Sequence, residues 1–150
     1  MRVSDIMTRT VYTVSPDAPL REVATLICLH HISGVPVVDA AGQLVGMVSE
    51  RDVLQALYPT YTELIDDPLR SRDFVEMESR YDDLSRRKVA ELMVRHVVMA
   101  KPEMPLLEAA SQMLRHCIRR LPVVEAGRLV GIVSLGDMHQ ALFAQYLGRK

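Results

Sequence analysis

A chain of 150 residues, 49% hydrophobic and 25% charged, has an ordinary globular composition and is long enough for one domain or two very small halves sharing a core. Its formal net charge of -1 gives no global field for nucleic acid or an anionic membrane, and its apolar runs break well before the ~18 residues a bilayer-spanning helix needs. Met1-Arg2-Val3-Ser4-Asp5 lacks the basic-then-apolar layout of a signal peptide, and Cys28 and Cys117 form no CxxC. The expected setting is therefore cytoplasmic, with both thiols reduced and packed in the core.

Along the chain, a helical turn over 3–7 precedes a short strand over 11–14 and a turn bracketed by Pro16 and Pro19. A helix is predicted over 20–31, where Val23, Leu26, Ile27 and His30 share one face. Two β-branched runs, 35–38 and 44–49, flank Asp39-Ala40-Ala41-Gly42 and predict a hairpin. A second helix starts after Ser49 and ends near Leu57. Residues 58–88 are dense in charge, yet Phe74, Met77, Tyr81 and Leu84 keep helical spacing, which predicts a helical insertion docked by one face.

From residue 89 the pattern starts again. Val11, Pro16, Pro19, Leu20, Glu22, His30, Pro36 and Val37 return as Val97, Pro102, Pro105, Leu106, Glu108, His116, Pro122 and Val123, each 86 positions on. One residue is then missing near Ala41, and Gly42, Gly46, Ser49 and Asp52 become Gly127, Gly131, Ser134 and Asp137. A deletion beside a turn glycine is where a hairpin tolerates one. The organisation read from this is repeat 1 over 1–57, an insertion over 58–88 and repeat 2 over 89–150. The fold class is α+β, two tandem β-α-β-β-α repeats.

Each repeat carries one chemical motif, Gly46-Met47-Val48-Ser49-Glu50-Arg51-Asp52 and Gly131-Ile132-Val133-Ser134-Leu135-Gly136-Asp137. Ser at a helix start with Asp three residues on is the pattern of a capping box, and spacing alone favours that reading. The same groups could instead meet a ligand, the carboxylate taking ribose hydroxyls and the helix start a phosphate oxygen. His30, His31, His96 and His116 have no metal spacing, and no metal site is expected. No Walker loop, GxGxxG, GxSxG or Cys/His/Asn pattern is present, so no catalytic residue is assigned and the chain is not expected to be an enzyme.

The duplicated order, with Val35-Pro36-Val37-Val38 and Leu121-Pro122-Val123-Val124 strands and a Gly-h-Val-Ser-x-x-Asp turn in each copy, resembles the CBS-domain family, named after the regulatory part of cystathionine β-synthase. Two copies form a Bateman module. The resemblance covers nearly all of the chain except the insertion. It implies repeats packed pseudo-two-fold through their sheets, with clefts for adenosine-containing ligands such as AMP, ADP, ATP or S-adenosylmethionine, bound as regulators and not as required cofactors.

Carried onto this sequence, the resemblance implies a phosphate-binding site of Ser134, Asp137, Arg119 and Arg120, with the base against Ile32, Ser33 and the Tyr12 strand. Its mirror would use Ser49, Asp52, Ile118 and the Val98 strand. Ser33 and Gly34 stand where the other copy has Arg119 and Arg120, so the mirror is the weaker phosphate site, with Arg51 as a partial substitute. The module is expected to signal by a ligand-dependent shift between two states. A homodimer is expected through the second helices, where Met138, Ala141, Leu142, Gln145 and Tyr146 make an apolar stripe, with an effector protein as a further partner. Alternatives are a ligand-free interaction module and nucleic-acid binding; the balanced charge opposes the latter.

Overall fold

The computed structural model describes residues 1–148, and for residues 70 and 71 the backbone alone. A 3-10 turn at Val3–Asp5 is followed by α1 (Leu20–His30), β1 (Gly34–Val38), β2 (Leu44–Ser49) and α2 (Glu50–Gln55). The insertion holds α3 (Tyr61–Asp66), a 3-10 turn at Pro68–Arg72, α4 (Phe74–Ser79) and α5 (Tyr81–Arg86). The second repeat supplies α6 (Val89–Leu92), α7 (Leu106–Arg115), β3 (Arg120–Glu125), β4 (Arg128–Ser134) and α8 (Leu135–Leu147). The fold is mixed α+β, as predicted, and each repeat holds one two-stranded sheet.

The strand expected over 11–14 does not form; Val14 makes a single parallel bridge to Val37. Its counterpart is equally reduced, to Ala100 against Val123. The reason lies in proline. Val14 and Ala100 each donate to the carbonyl of Pro36 or Pro122, at 3.2 and 2.9 Å, but neither proline has an N–H to return to a longer ladder.

Two compact units form, one from Met1–Thr13, Val38–Leu44 and the chain from His96 onward, the other from Val14–Val37 and Val45–Arg95. The opening turn of each repeat thus packs with the body of the other repeat. Val3 donates to Met104 O at 3.0 Å and Ser4 to Pro102 O at 2.9 Å; Val89 and Ala90 do the same to Ala18 O and Pro16 O, both at 2.9 Å. In the first unit Val3 and Met7 join Leu106, Met113, Leu121, Val123, Val133 and Met138 in one core. In the second, Val89 and Met93 join Leu20, Val23, Val35, Val37, Val48 and Val53. Each fully buried Val, Leu or Met among these contributes roughly 1.5–3 kcal/mol of transfer free energy.

The β3–β4 hairpin closes on Ala126 and Gly127, both with positive φ (49° and 79°), the two-residue turn that suits right-twisted strands. The first hairpin has the extra residue, and Asp39 Oδ1 organises it by accepting from the N–H groups of Ala41 and Gln43, both at 2.9 Å. Across the first unit the two turns pair, Leu44 N–H donating to Gly127 O at 3.1 Å and Leu129 N–H to Gly42 O at 3.3 Å.

Three further expectations change. Cys28 and Cys117 are both exposed and not in a core. Cys28 lies off the apolar face of α1, and Cys117 occupies the left-handed residue just beyond α7. In the insertion Met77 and Leu84 are buried, but Phe74 and Tyr81 are exposed, because the chain breaks at Arg80 into two six-residue helices and the four positions do not stay on one stripe. On α8, Met138 is buried and Ala141 and Leu142 pack against the core of their own unit, while Gln145 and Tyr146 face outward. The expected dimer stripe largely closes the unit that carries it. Among the described residues, no helix is long and apolar enough to cross a membrane.

Candidate functional site

The serine and aspartate of each motif form the capping box that their spacing predicts. Ser134 ends β4 in extended backbone and caps α8. Asp137 N–H donates to Ser134 Oγ at 3.1 Å, and Asp137 Oδ2 accepts from Ser134 N–H at 2.9 Å and from Ser134 Oγ–H at 2.6 Å. Ser49 and Asp52 repeat the arrangement at α2, at 3.2, 2.8 and 2.9 Å. Every one of these bonds uses Oδ2. Oδ1 of Asp52 and of Asp137 has no partner among the described residues and remains an open acceptor on a half-buried side chain. Capping and ligand binding therefore do not compete for the same oxygen. The hydroxyl proton, by contrast, is committed to the carboxylate, so Ser134 has none to offer a phosphate while the cap is closed.

The strand before each motif is anchored to it. Arg120 pairs with Ser134 across the β3–β4 ladder, and Leu135 N–H, the first of α8, donates to Arg119 O at 2.9 Å. In the other copy Glu50 N–H donates to Ser33 O at 3.0 Å. These bonds satisfy a helix-end donor and fix residues 119 and 33 beside the first turn of the following helix. Arg119 is exposed, and its guanidinium pairs with no described residue; Arg120 is half-buried. The same holds for the exposed Arg51 in the first turn of α2.

How the chain arrives at Arg119 is set by α7. Cys117 takes φ 53°, Ile118 N–H donates back to Met113 O at 3.0 Å, and Cys117 N–H to Leu114 O at 3.4 Å. This is the paired reverse bonding of a Schellman end, with a cysteine where glycine is usual. It turns the chain sharply so that Ile118 seals the core while Arg119 faces outward. His31, the matching residue after α1, also takes left-handed backbone, with φ 51°, just before Ile32 and Ser33.

Of the residues singled out in the sequence, Tyr12, Val98, Ile118, Arg119, Arg120, Ser134 and Asp137 fall in the first unit. Ile32, Ser33, Ser49, Arg51 and Asp52 fall in the second. Tyr12 is 46% exposed; Val98 and Ile118 pack against the core of the first unit and Ile32 against that of the second. The motifs diverge in charge. Arg119, Arg120 and Asp137 make one net positive, whereas Glu50, Arg51 and Asp52 make the other net negative.

Sequence reading missed the residues that position these motifs. Met7 covers Gly131 and Met93 covers Gly46, each beside a short antiparallel bridge, Thr8 to Ile132 and Val94 to Met47. The signal was available, because Met7 and Met93 also stand 86 apart. Among the described residues no group of three or more His, Cys, Asp or Glu is placed to hold a metal ion.

The family profile of the CBS domain matches residues 3–59 and again 89–144. The chain belongs to the CBS-domain family. It is a CBS pair, a Bateman-type regulatory module. Protein MJ1426 of Methanocaldococcus jannaschii is 36% identical over 95% of this chain and 91% of its own length. The CBS domain-containing protein YhcV of Bacillus subtilis is 38% identical over 91% of this chain and 81% of its own. Among solved structures, CBSX2 from Arabidopsis thaliana superposes with a TM-score of 0.78 at 28% identity, covering 99% of this chain and 97% of that one. CBSX2 in complex with AMP gives 0.74 at 29% identity, covering 97% and 98%.

Proposed function

We propose that this CBS pair is a sensor of an adenine nucleotide, with AMP, ADP or ATP as the ligand, and that it carries out no catalysis. The single observation that supports this most is the open Oδ1 of Asp137 on a closed capping box, with the carbonyl of Arg119 bonded to the first N–H of the same helix and its guanidinium without a partner among the described residues. A carboxylate oxygen accepts from ribose hydroxyls, and a guanidinium offers a planar fork of donors to phosphate. CBSX2, alike over nearly its whole length, is known in complex with AMP, which makes AMP the first ligand to try. On this reading Ser134 acts by holding Asp137, and Arg120 joins Arg119 on the phosphate. Ser49, Asp52 and Arg51 form the weaker counterpart, since Ser33 and Gly34 supply no cation there.

Calorimetric titration with AMP, ADP, ATP, adenosine and S-adenosylmethionine tests the proposal. Saturable heat with a phosphorylated adenosine, tighter than with adenosine itself, is the expected result. Heat with S-adenosylmethionine alone would replace the nucleotide by that sulfonium ligand, and no heat with any of the five would favour a ligand-free interaction module.

A further inference from the structure

We infer that Glu50 is a specificity-determining residue: it keeps phosphate away from the Ser49–Asp52 motif, so that the two motifs of this chain sort adenosine compounds by charge. The inference rests on the nucleotide reading proposed above and adds to it what each motif accepts. The motifs are alike in their capping boxes and in the open Oδ1 of their aspartates. Any difference in what they take therefore comes from the side chains around them.

The repeat aligns Ser33, Gly34 and Glu50 with Arg119, Arg120 and Leu135. The backbone ties each set together in the same way, Leu135 N–H donating to Arg119 O at 2.9 Å and Glu50 N–H to Ser33 O at 3.0 Å. A leucine thus adjoins an arginine in the first unit, and a glutamate adjoins a serine in the second. Leu135 packs against the core of its unit, whereas Glu50 is exposed and makes no ion pair among the described residues. Arg51 does not offset it, because successive residues of a helix do not face one another. Gly34 brings no cation either; it lies tight against the motif, where an added Cβ would come within 3.3 Å of Val48 O.

Over the matched positions one set carries a net charge of +1 (Arg119, Arg120, Asp137) and the other a net charge of -1 (Glu50, Arg51, Asp52). On the 5′ side of the ribose, AMP carries a phosphate dianion, adenosine no charge and S-adenosylmethionine a sulfonium. The first set draws the phosphate and the second repels it, so the Ser49–Asp52 motif takes adenosine compounds whose 5′ group is neutral or cationic. An exposed carboxylate acts through a high dielectric, which limits the discrimination to about tenfold and makes it fade as salt rises.

The test is calorimetry on the full chain carrying Asp137→Ala, which leaves the Ser49–Asp52 motif intact, titrated with AMP, adenosine and S-adenosylmethionine. The same titrations follow with Glu50→Leu added, the residue of the other copy, or Glu50→Gln. Asp137→Ala binds adenosine and S-adenosylmethionine about tenfold more tightly than AMP. Either change at Glu50 brings AMP about fivefold closer to adenosine, and raising the salt does so only while Glu50 is present. Melting curves establish that each variant is folded, and Glu50→Gln carries the test if Glu50→Leu is not. A purely structural Glu50 would move all three ligands together and leave their ratios unchanged, which would overturn the inference. AMP binding as tightly as adenosine in Asp137→Ala would overturn it too. If wild type gives heat with AMP but Asp137→Ala gives none with any of the three, the inference falls and the nucleotide reading stands. If wild type gives none either, both fall.

Discussion

Met7 Sδ lies 2.7 Å from where a Cβ on Gly131 would stand, and Met93 Sδ stands at the same 2.7 Å over Gly46. In both cases a backbone carbonyl is the third neighbour, Thr8 O or Val94 O at 3.1 Å, so the side chain cannot simply swing away into free space. Each methionine is thereby seated on the strand that runs into a capping serine. Gly131→Ala and Gly46→Ala each lower stability by about 1–3 kcal/mol, read as a fall in the urea midpoint at constant m value. Because the shortest contacts are with the Met7 side chain, Met7→Ala combined with Gly131→Ala costs less than the sum of the two single changes, and the carbonyl contact of Thr8 keeps the relief partial.

Cys117 and His31 hold left-handed backbone without being glycine. That conformation costs an L-residue roughly 1–2 kcal/mol, part of which glycine gives back through its looser unfolded chain. Cys117→Gly and His31→Gly therefore stabilise the protein, each by about 0.5–1 kcal/mol in denaturant titration. Both thiols are exposed, so a thiol reagent titrates two groups in native wild type without denaturant.

The capping boxes make a prediction that separates structure from binding. Ser134→Ala removes the acceptor for Asp137 N–H and the clamp on Asp137, costing about 1 kcal/mol in thermal or urea melts. Ser49→Ala costs a similar amount. Asp137 Oδ1 survives in Ser134→Ala, so that variant still binds nucleotide, with reduced affinity from a less fixed carboxylate.

On the proposed reading Arg119 offers its guanidinium to phosphate, while its carbonyl is held by Leu135 N–H. Arg119→Ala leaves that backbone bond in place and removes only the cation. It weakens AMP by roughly tenfold, the 1.5–3 kcal/mol range of a charge-assisted bond reduced by solvent exposure, and leaves adenosine nearly unchanged. Equal losses for AMP and adenosine in calorimetry would place the phosphate elsewhere.

Much of this was legible before any coordinates. The recurrence of Pro36 at Pro122 and of Ser49-x-x-Asp52 at Ser134-x-x-Asp137 carried the duplicated fold, the hairpins and the helix starts, because turn and cap residues act locally. Which body the opening turns join was not legible. Val3 and Val89 read as apolar first-turn residues wherever they dock, and the choice is made by the bonds of Val3 to Met104 O, 101 residues away in sequence, and of Val89 to Ala18 O, 71 residues away. The strand over 11–14 failed for a reason the sequence did contain, the missing N–H of Pro36, but only the pairing revealed that this proline was its partner. At the site, the residue types of the capping box were readable, whereas the sparing of Oδ1 depends on a rotamer that periodicity does not encode.

The account rests on Asp137 accepting from a nucleotide, and calorimetric titration of AMP into wild type and Asp137→Ala, both checked by melting for folded protein, tests that most directly. Saturable binding to wild type that vanishes in Asp137→Ala is the predicted result. Unaltered affinity in a folded Asp137→Ala variant would contradict it.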